Sequence, residues 1–174
     1  MLNSSRSQLG MTLERFSHAH VPAIQMIASD EMNTRYTNTP FPYPEEGAID
    51  FLAFCNDEWE LNISRTYTVL WNGTVIGNAS VVHLQTDEPL LGYMIDKAFW
   101  NCGMGTQLVS KLCDICRNVL QIQNVFAPVL PENLSSQRVL IKNGFFESKR
   151  FTLPLDYPKF ASREMIQFAK DLVV

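Results

Sequence analysis

Two β-branched and apolar runs, residues 66–71 and 74–84, flank the dipeptide Asn72-Gly73. Asn-Gly tolerates left-handed backbone at both positions, as a type I′ turn requires, so this stretch is predicted to be a β-hairpin. A third apolar run, Leu90-Leu91-Gly92-Tyr93-Met94-Ile95, extends it into a meander. Farther on, Leu108, Leu112, Ile115, Cys116 and Val119 recur at helical spacing, with Gln107, Ser110, Lys111, Asp114, Arg117 and Asn118 on the other side. That spacing predicts an amphipathic helix. Residues 125–130 read as another strand, and a helical crossover makes it parallel to residues 90–95.

The flanks follow the same logic. Residues 11–16 alternate weakly as a first strand, and Pro22 suits the first turn of a helix reaching about Ser29. Pro40, Pro42 and Pro44 force an extended loop. Glu45 and Glu46 then favour the first turn of a helix that carries Ile49, Phe51, Leu52 and Phe54. A helix over about 133–143 would be closed by Gly144 in a left-handed cap, followed by strands near 145–151 and 163–170, antiparallel to each other. The expected architecture is a mixed α/β sheet with helices on both faces.

The loop Gly103-Met104-Gly105 opens the amphipathic helix. Two glycines allow close approach of the backbone, and a helix start aims free N–H groups and positive potential at an anion. A P-loop string is absent, and the third glycine of a dinucleotide fingerprint is replaced by Leu108. Taken alone, the glycines serve equally as a tight turn.

With 174 residues, 46% of them hydrophobic, the chain suffices for a single compact domain over residues 11–174 behind a polar tail of residues 1–10. The net charge of -4 and the lack of a basic run give no support to a nucleic-acid partner and suit a cationic acceptor. Neither a signal-peptide core nor a run of membrane-spanning length is visible, so a soluble cytoplasmic protein without a membrane partner is expected. Of the four cysteines, Cys113 and Cys116 form a CxxC pair two turns into a helix, with no second ligand pair for zinc. Reduced thiols and no metal are expected, with Cys116 facing the core.

The spaced residues Gly92-Tyr93, Phe99-Trp100-Asn101-Cys102-Gly103-Met104-Gly105, Pro131-Glu132-Asn133, Ser136, Arg138-Val139-Leu140 and Gly144-Phe145 closely resemble the GNAT acetyltransferase superfamily. Within it the match is to RimJ/RimL-type N-acetyltransferases, dense over residues 90–146. The resemblance implies a GNAT-like, mostly antiparallel sheet with a central parallel strand pair, and acetyl-CoA as cosubstrate. It implies that residues 100–106, including Asn101, Cys102, Gly103, Met104, Gly105 and Thr106, cradle the pyrophosphate. The strand ending near Ile95 would pair with the pantetheine arm, whose two amides would find free backbone if the parallel strands splay. Met94 or Ile95 would donate its backbone N–H to the oxyanion, and Asn133 would bond the pantetheine. The acceptor would be a primary amine, on a protein N-terminus or a small molecule, acetylated directly in a ternary complex by a monomer or homodimer. The N-terminal helical region would wall its site, with Phe41 and Tyr43 as candidate contacts.

Acetyl transfer needs alignment, an oxyanion donor and proton traffic. Where many superfamily members place a Tyr, seven residues after the motif Asn, this chain has Leu140; the RimJ/RimL-type pattern instead uses a Ser three residues after it, here Ser136, a candidate general acid. Ser136 would equally satisfy local backbone, and Asn133 would equally serve as a helix N-cap. Where related enzymes carry a Glu base, two residues before Gly-Tyr, this chain has Leu90. His83, Asp87 and Glu88 are nearby substitutes, and a water relay needs none of them, so the base stays unassigned. Leu90 also keeps open a non-catalytic CoA-binding or regulatory module. Arg138 and Lys142 read as solvated charge or as phosphate contacts.

Overall fold

The computed structural model of the chain describes residues 10–173. The expected polar tail of residues 1–10 lies outside them except for Gly10. In chain order the elements are β1 (Met11–Arg15), α1 (Val21–Ala28), the one-turn α2 (Glu31–Thr34), α3 (Gly47–Glu60), β2 (Arg65–Trp71), β3 (Thr74–Val82), β4 (Leu90–Ile95), α4 (Met104–Asn118), β5 (Asn124–Val129), α5 (Leu134–Lys142), β6 (Phe146–Thr152) and β7 (Glu164–Asp171). They form a seven-stranded sheet in the order β1-β2-β3-β4-β5-β7-β6. All neighbouring pairs are antiparallel except the central pair β4 and β5.

The hairpin turn forms as its sequence dictates, with Asn72 and Gly73 at φ 50 and 81. Crossover helix α4 returns the chain for β5 to lie parallel to β4. It buries Leu108, Leu112 and Cys116 against Val81, Leu91 and Val125, with Leu140 of α5 in the same cluster. On the other face, Ile24 of α1 and Ala48, Leu52 and Cys55 of α3 pack with Phe16. Each large apolar side chain so buried contributes about 1.5–3 kcal/mol.

Two buried faces differ in detail from the sequence pattern. The stripe of α4 is Leu108, Val109, Leu112, Cys113 and Cys116, whereas Val119 is 69% exposed because the helix ends at Asn118. In α3, Leu52 is buried but Ile49 and Phe54 are exposed. Helix α2, unmarked by any periodicity, is nucleated by Asp30, whose carboxylate accepts the Met32 N–H at 2.9 Å. Among the described residues, no helix is long and apolar enough to cross a membrane.

Candidate functional site

Strands β4 and β5 share one ladder pair, Leu90 with Phe126. The Phe126 N–H donates to the Pro89 carbonyl at 3.0 Å. In a continuing parallel ladder the next donor toward β4 would be two residues along, at Pro128, and proline has no N–H. Pairing stops there and the two edges part. Ladder parity then shows which groups line the gap. The Asp96 N–H donates to the Ile76 carbonyl at 2.7 Å, so even-numbered β4 residues turn their backbone to β3 while Leu91, Tyr93 and Ile95 turn theirs to β5. The Ile95 carbonyl accepts the Trp100 indole N–H at 2.7 Å. What lines the gap is therefore the Leu91 carbonyl, both groups of Tyr93 and the Ile95 N–H. Backbone groups so placed need an outside partner.

Beyond the gap, left-handed Asn101 and Gly103, at φ 59 and 85, turn the chain into α4. Gly103 is the N-cap and offers no capping side chain, and no acidic residue occupies the first turn. The first helical bond runs from the Gln107 N–H to the Gly103 carbonyl at 3.1 Å. The N–H groups of Met104, Gly105 and Thr106 stay free for an anion, reinforced by the helix dipole. Helix α5 closes on this turn: a Cβ on Gly105 would lie 3.1 Å from Val139 Cγ2. The Asn143 side-chain amide also donates to the Thr106 carbonyl at 3.1 Å. The resulting cleft, about 660 Å³, is lined by Gly103, Thr106, Gln107 and Ser110, with Lys111, Lys142 and the carboxylate of Asp114 beside them. Free N–H groups flanked by two cations suit a diphosphate.

Across the gap, the Tyr93 phenol and the Ser136 hydroxyl meet at 2.7 Å. Ser136 is held in the first turn of α5 by Asn133, whose side-chain oxygen accepts its N–H at 3.1 Å. Burial pushes the Tyr93 phenol up to about 12, outweighing the opposing effect of the Ser136 bond. The phenol thus stays protonated at neutral pH. With Tyr93 donating to Ser136, the serine keeps its own proton for a third group.

A second cleft, about 630 Å³, lies where Leu90 and Pro128 mark the end of the ladder. Leu91 and Val129 belong to the core under α4, so strand alternation turns Leu90 and Pro128 to the opposite face. The end of the ladder is therefore open on the face of the sheet away from α4.

Residues 11–146 match the family model described as Acetyltransferase (GNAT) domain. The chain belongs to the GNAT acetyltransferase family. It is 40% identical over 55 residues to "Probable N-acetyltransferase YjcK" of Bacillus subtilis (strain 168), a match covering 32% of this chain and 30% of that one. The fold is shared with Mycobacterium smegmatis RimJ in complex with CoA-disulfide, at TM-score 0.82 and 17% identity over 92% of this chain and 81% of that one. It is also shared with the Vibrio cholerae spermidine N-acetyltransferase in complex with CoA and spermine, at TM-score 0.79 and 14% identity, covering 94% and 96%. RimL, the ribosomal L7/L12 alpha-N-protein acetyltransferase solved with coenzyme A, gives TM-score 0.81 and 14% identity, covering 95% and 96%.

In this GNAT domain Asn101, Cys102, Gly103, Met104, Gly105 and Thr106 gather at the α4 N-terminus. Of Met94 and Ile95, only Ile95 turns its N–H to the gap; Met94 faces β3 and packs its side chain on Ile27 and Ala28. The Asn133 side chain does cap α5, while the Ser136 hydroxyl is bonded to Tyr93. Leu140, where many relatives have Tyr, is fully buried core. His83, Asp87 and Glu88 all line the second cleft, whereas Phe41 and Tyr43 do not; Tyr43 instead packs its ring over Gly47. Cys113 and Cys116 are free and buried, and burial pushes the Cys116 thiol up to about 12. Pattern reading missed Pro128, Lys111 and the Tyr93 hydroxyl. A proline inside a strand was the available signal for the first.

Proposed function

We propose that this chain moves the acetyl group of acetyl-CoA onto a primary amine by direct transfer in a ternary complex. The observation that carries the reading is the opened β4–β5 edge leading to an α4 N-terminus without a capping side chain. Pantetheine amides complement the Tyr93 N–H and carbonyl. The pyrophosphate falls at Met104, Gly105 and Thr106, with Lys111 and Lys142 supplying charge. CoA in the RimL and spermidine acetyltransferase structures supports this reading.

In the reaction the amine nitrogen attacks the thioester carbonyl carbon. The Ile95 N–H stabilises the developing oxyanion. As the C–S bond breaks, the Ser136 hydroxyl gives a proton to the thiolate and takes one from Tyr93, which recovers it from water. The amine's proton leaves through water in the cleft lined by His83, Asp87 and Glu88. No covalent acetyl-enzyme is needed, since the exposed Cys102 lies in the phosphate loop. Four free cysteines suit a reducing cytoplasm.

The test is a thiol assay of purified protein with acetyl-CoA and a panel of amines and peptides. Acceptor-dependent release of CoA is expected. Tight CoA binding without release from any acceptor would favour a non-catalytic CoA-binding module.

A further inference from the structure

The peptide group joining Met94 to Ile95 carries the N–H that turns to the gap, and its tilt is set by what surrounds it. Behind it, a Cβ on Gly77 of β3 would fall 2.0 Å from the Met94 carbonyl oxygen, so only glycine lets β3 approach that closely. Ahead of it, the Trp100 indole holds the Ile95 carbonyl and the Ile76 carbonyl holds the Asp96 N–H. The Lys97 N–H comes next, beyond the end of β4, and is taken by the side-chain oxygen of Asn33 at 2.7 Å. Asn33 lies on α2 and is 6% exposed. Its side-chain amide donates to the Ile27 carbonyl of α1 at 3.0 Å and to Asp96 Oδ1 at 3.4 Å. Lys97 in turn pairs its ammonium with Asp30, the N-cap of α2.

One buried side chain thus bonds, with its two ends, the main chain of α1 and the exit from β4. Such a tie fixes position, because breaking either bond leaves a buried backbone group unpaired. Strand β4 has need of it: beyond Leu90 the ladder to β5 has ended, and the rest of the strand is bonded to β3 alone. We propose that Asn33 is a positioning residue for the oxyanion donor, holding the turn after β4 so that the Ile95 N–H keeps its aim on the thioester carbonyl. The inference rests on the acetyl-transfer reading above. It adds a contribution from α2, a helix remote in sequence from the cofactor loop. Outright loss of an oxyanion donor costs on the order of a hundredfold or more in kcat, so a donor that is loosened but still present is expected to lose about tenfold.

The test compares Asn33→Ala with Thr34→Ala, whose lost hydroxyl bonds run only to Asp30 and Glu31 of the same helical turn. Both variants should lose stability, but only Asn33→Ala should lose kcat, by about tenfold, with CoA affinity kept within about twofold. In isotopically labelled protein, exchanging CoA for acetyl-CoA gives the Ile95 N–H an acceptor and should move its resonance, and Asn33→Ala should shrink that movement. An unchanged kcat in Asn33→Ala, an equal loss in Thr34→Ala, or a CoA affinity that falls as far as kcat overturns the proposal. Should Asn33→Ala fail to fold, Asn33→Asp decides, since its carboxylate keeps an acceptor for the Lys97 N–H. That variant should hold kcat within about threefold, and a tenfold loss would overturn the proposal. An Ile95 resonance that answers to acetyl-CoA and depends on Asn33, in a protein that acetylates no acceptor, would defeat the catalytic reading and leave the positioning by Asn33 standing.

Discussion

The Tyr93 phenol oxygen and the Ser136 hydroxyl oxygen lie 2.7 Å apart, one on β4 and the other on the helix that follows β5. The bond spans the gap between the diverging strands, where a thioester would sit. Ser136→Ala should lower kcat by on the order of a hundredfold while acetyl-CoA affinity stays within about twofold. Tyr93→Phe should cost less, about tenfold in kcat, because Ser136 keeps its hydroxyl. Steady-state kinetics beside calorimetry give this split. Equal losses in affinity and kcat would mark both as structural.

Pro128 ends the β4–β5 ladder because it cannot donate toward Leu91. Pro128→Ala restores the N–H, so pairing should extend and the gap narrow. Acetyl-CoA affinity should then fall at least tenfold with thermal stability unchanged or raised. A variant that loses stability and keeps its affinity would refute this role.

At the α4 N-terminus the phosphate contacts should be salt-sensitive. Lys142→Glu should weaken acetyl-CoA binding by about tenfold at low salt, and the deficit should shrink as salt rises and the Debye length shortens. Titrations at two ionic strengths measure it. Gly103, at φ 85, accepts a side chain only with strain, so Gly103→Ala should also cost about 1 kcal/mol of stability.

How much of this was legible beforehand varied with the distance over which each feature is encoded. The hairpin was local, because Asn72-Gly73 specifies its own turn. The amphipathic stripe gave α4, although Val109 and Cys113 replaced Val119 on the buried face once the helix end was fixed. Ser136 was singled out through family resemblance, but its Tyr93 partner is 43 residues away and was invisible to spacing. Pro128 sat in plain view within a strand; only the bond from the Phe126 N–H to the Pro89 carbonyl, two residues earlier, shows that it faces β4. Lys142 read as solvated charge or phosphate contact, and the packing of α5 on α4 at Gly105 is what brings it beside the loop.

Two buried acids should shape the alkaline stability. Burial raises Cys116 from 9.0 to about 12 and Tyr93 from 10.0 to about 12. The folded state therefore keeps protons that the unfolded chain releases, and stability is full below about pH 9 and declines as pH rises toward 12. Urea midpoints should fall over that window, and Cys116→Val should lessen the fall. A flat profile would contradict the burial-driven shifts.

The central claim is that the opened strand edge and the free helix start together hold acetyl-CoA. Calorimetric titration of the purified chain with acetyl-CoA measures this most directly. One site per chain is expected, with an affinity weakened by both Pro128→Ala and Lys142→Glu. No heat of binding, or an affinity indifferent to both substitutions, would contradict it.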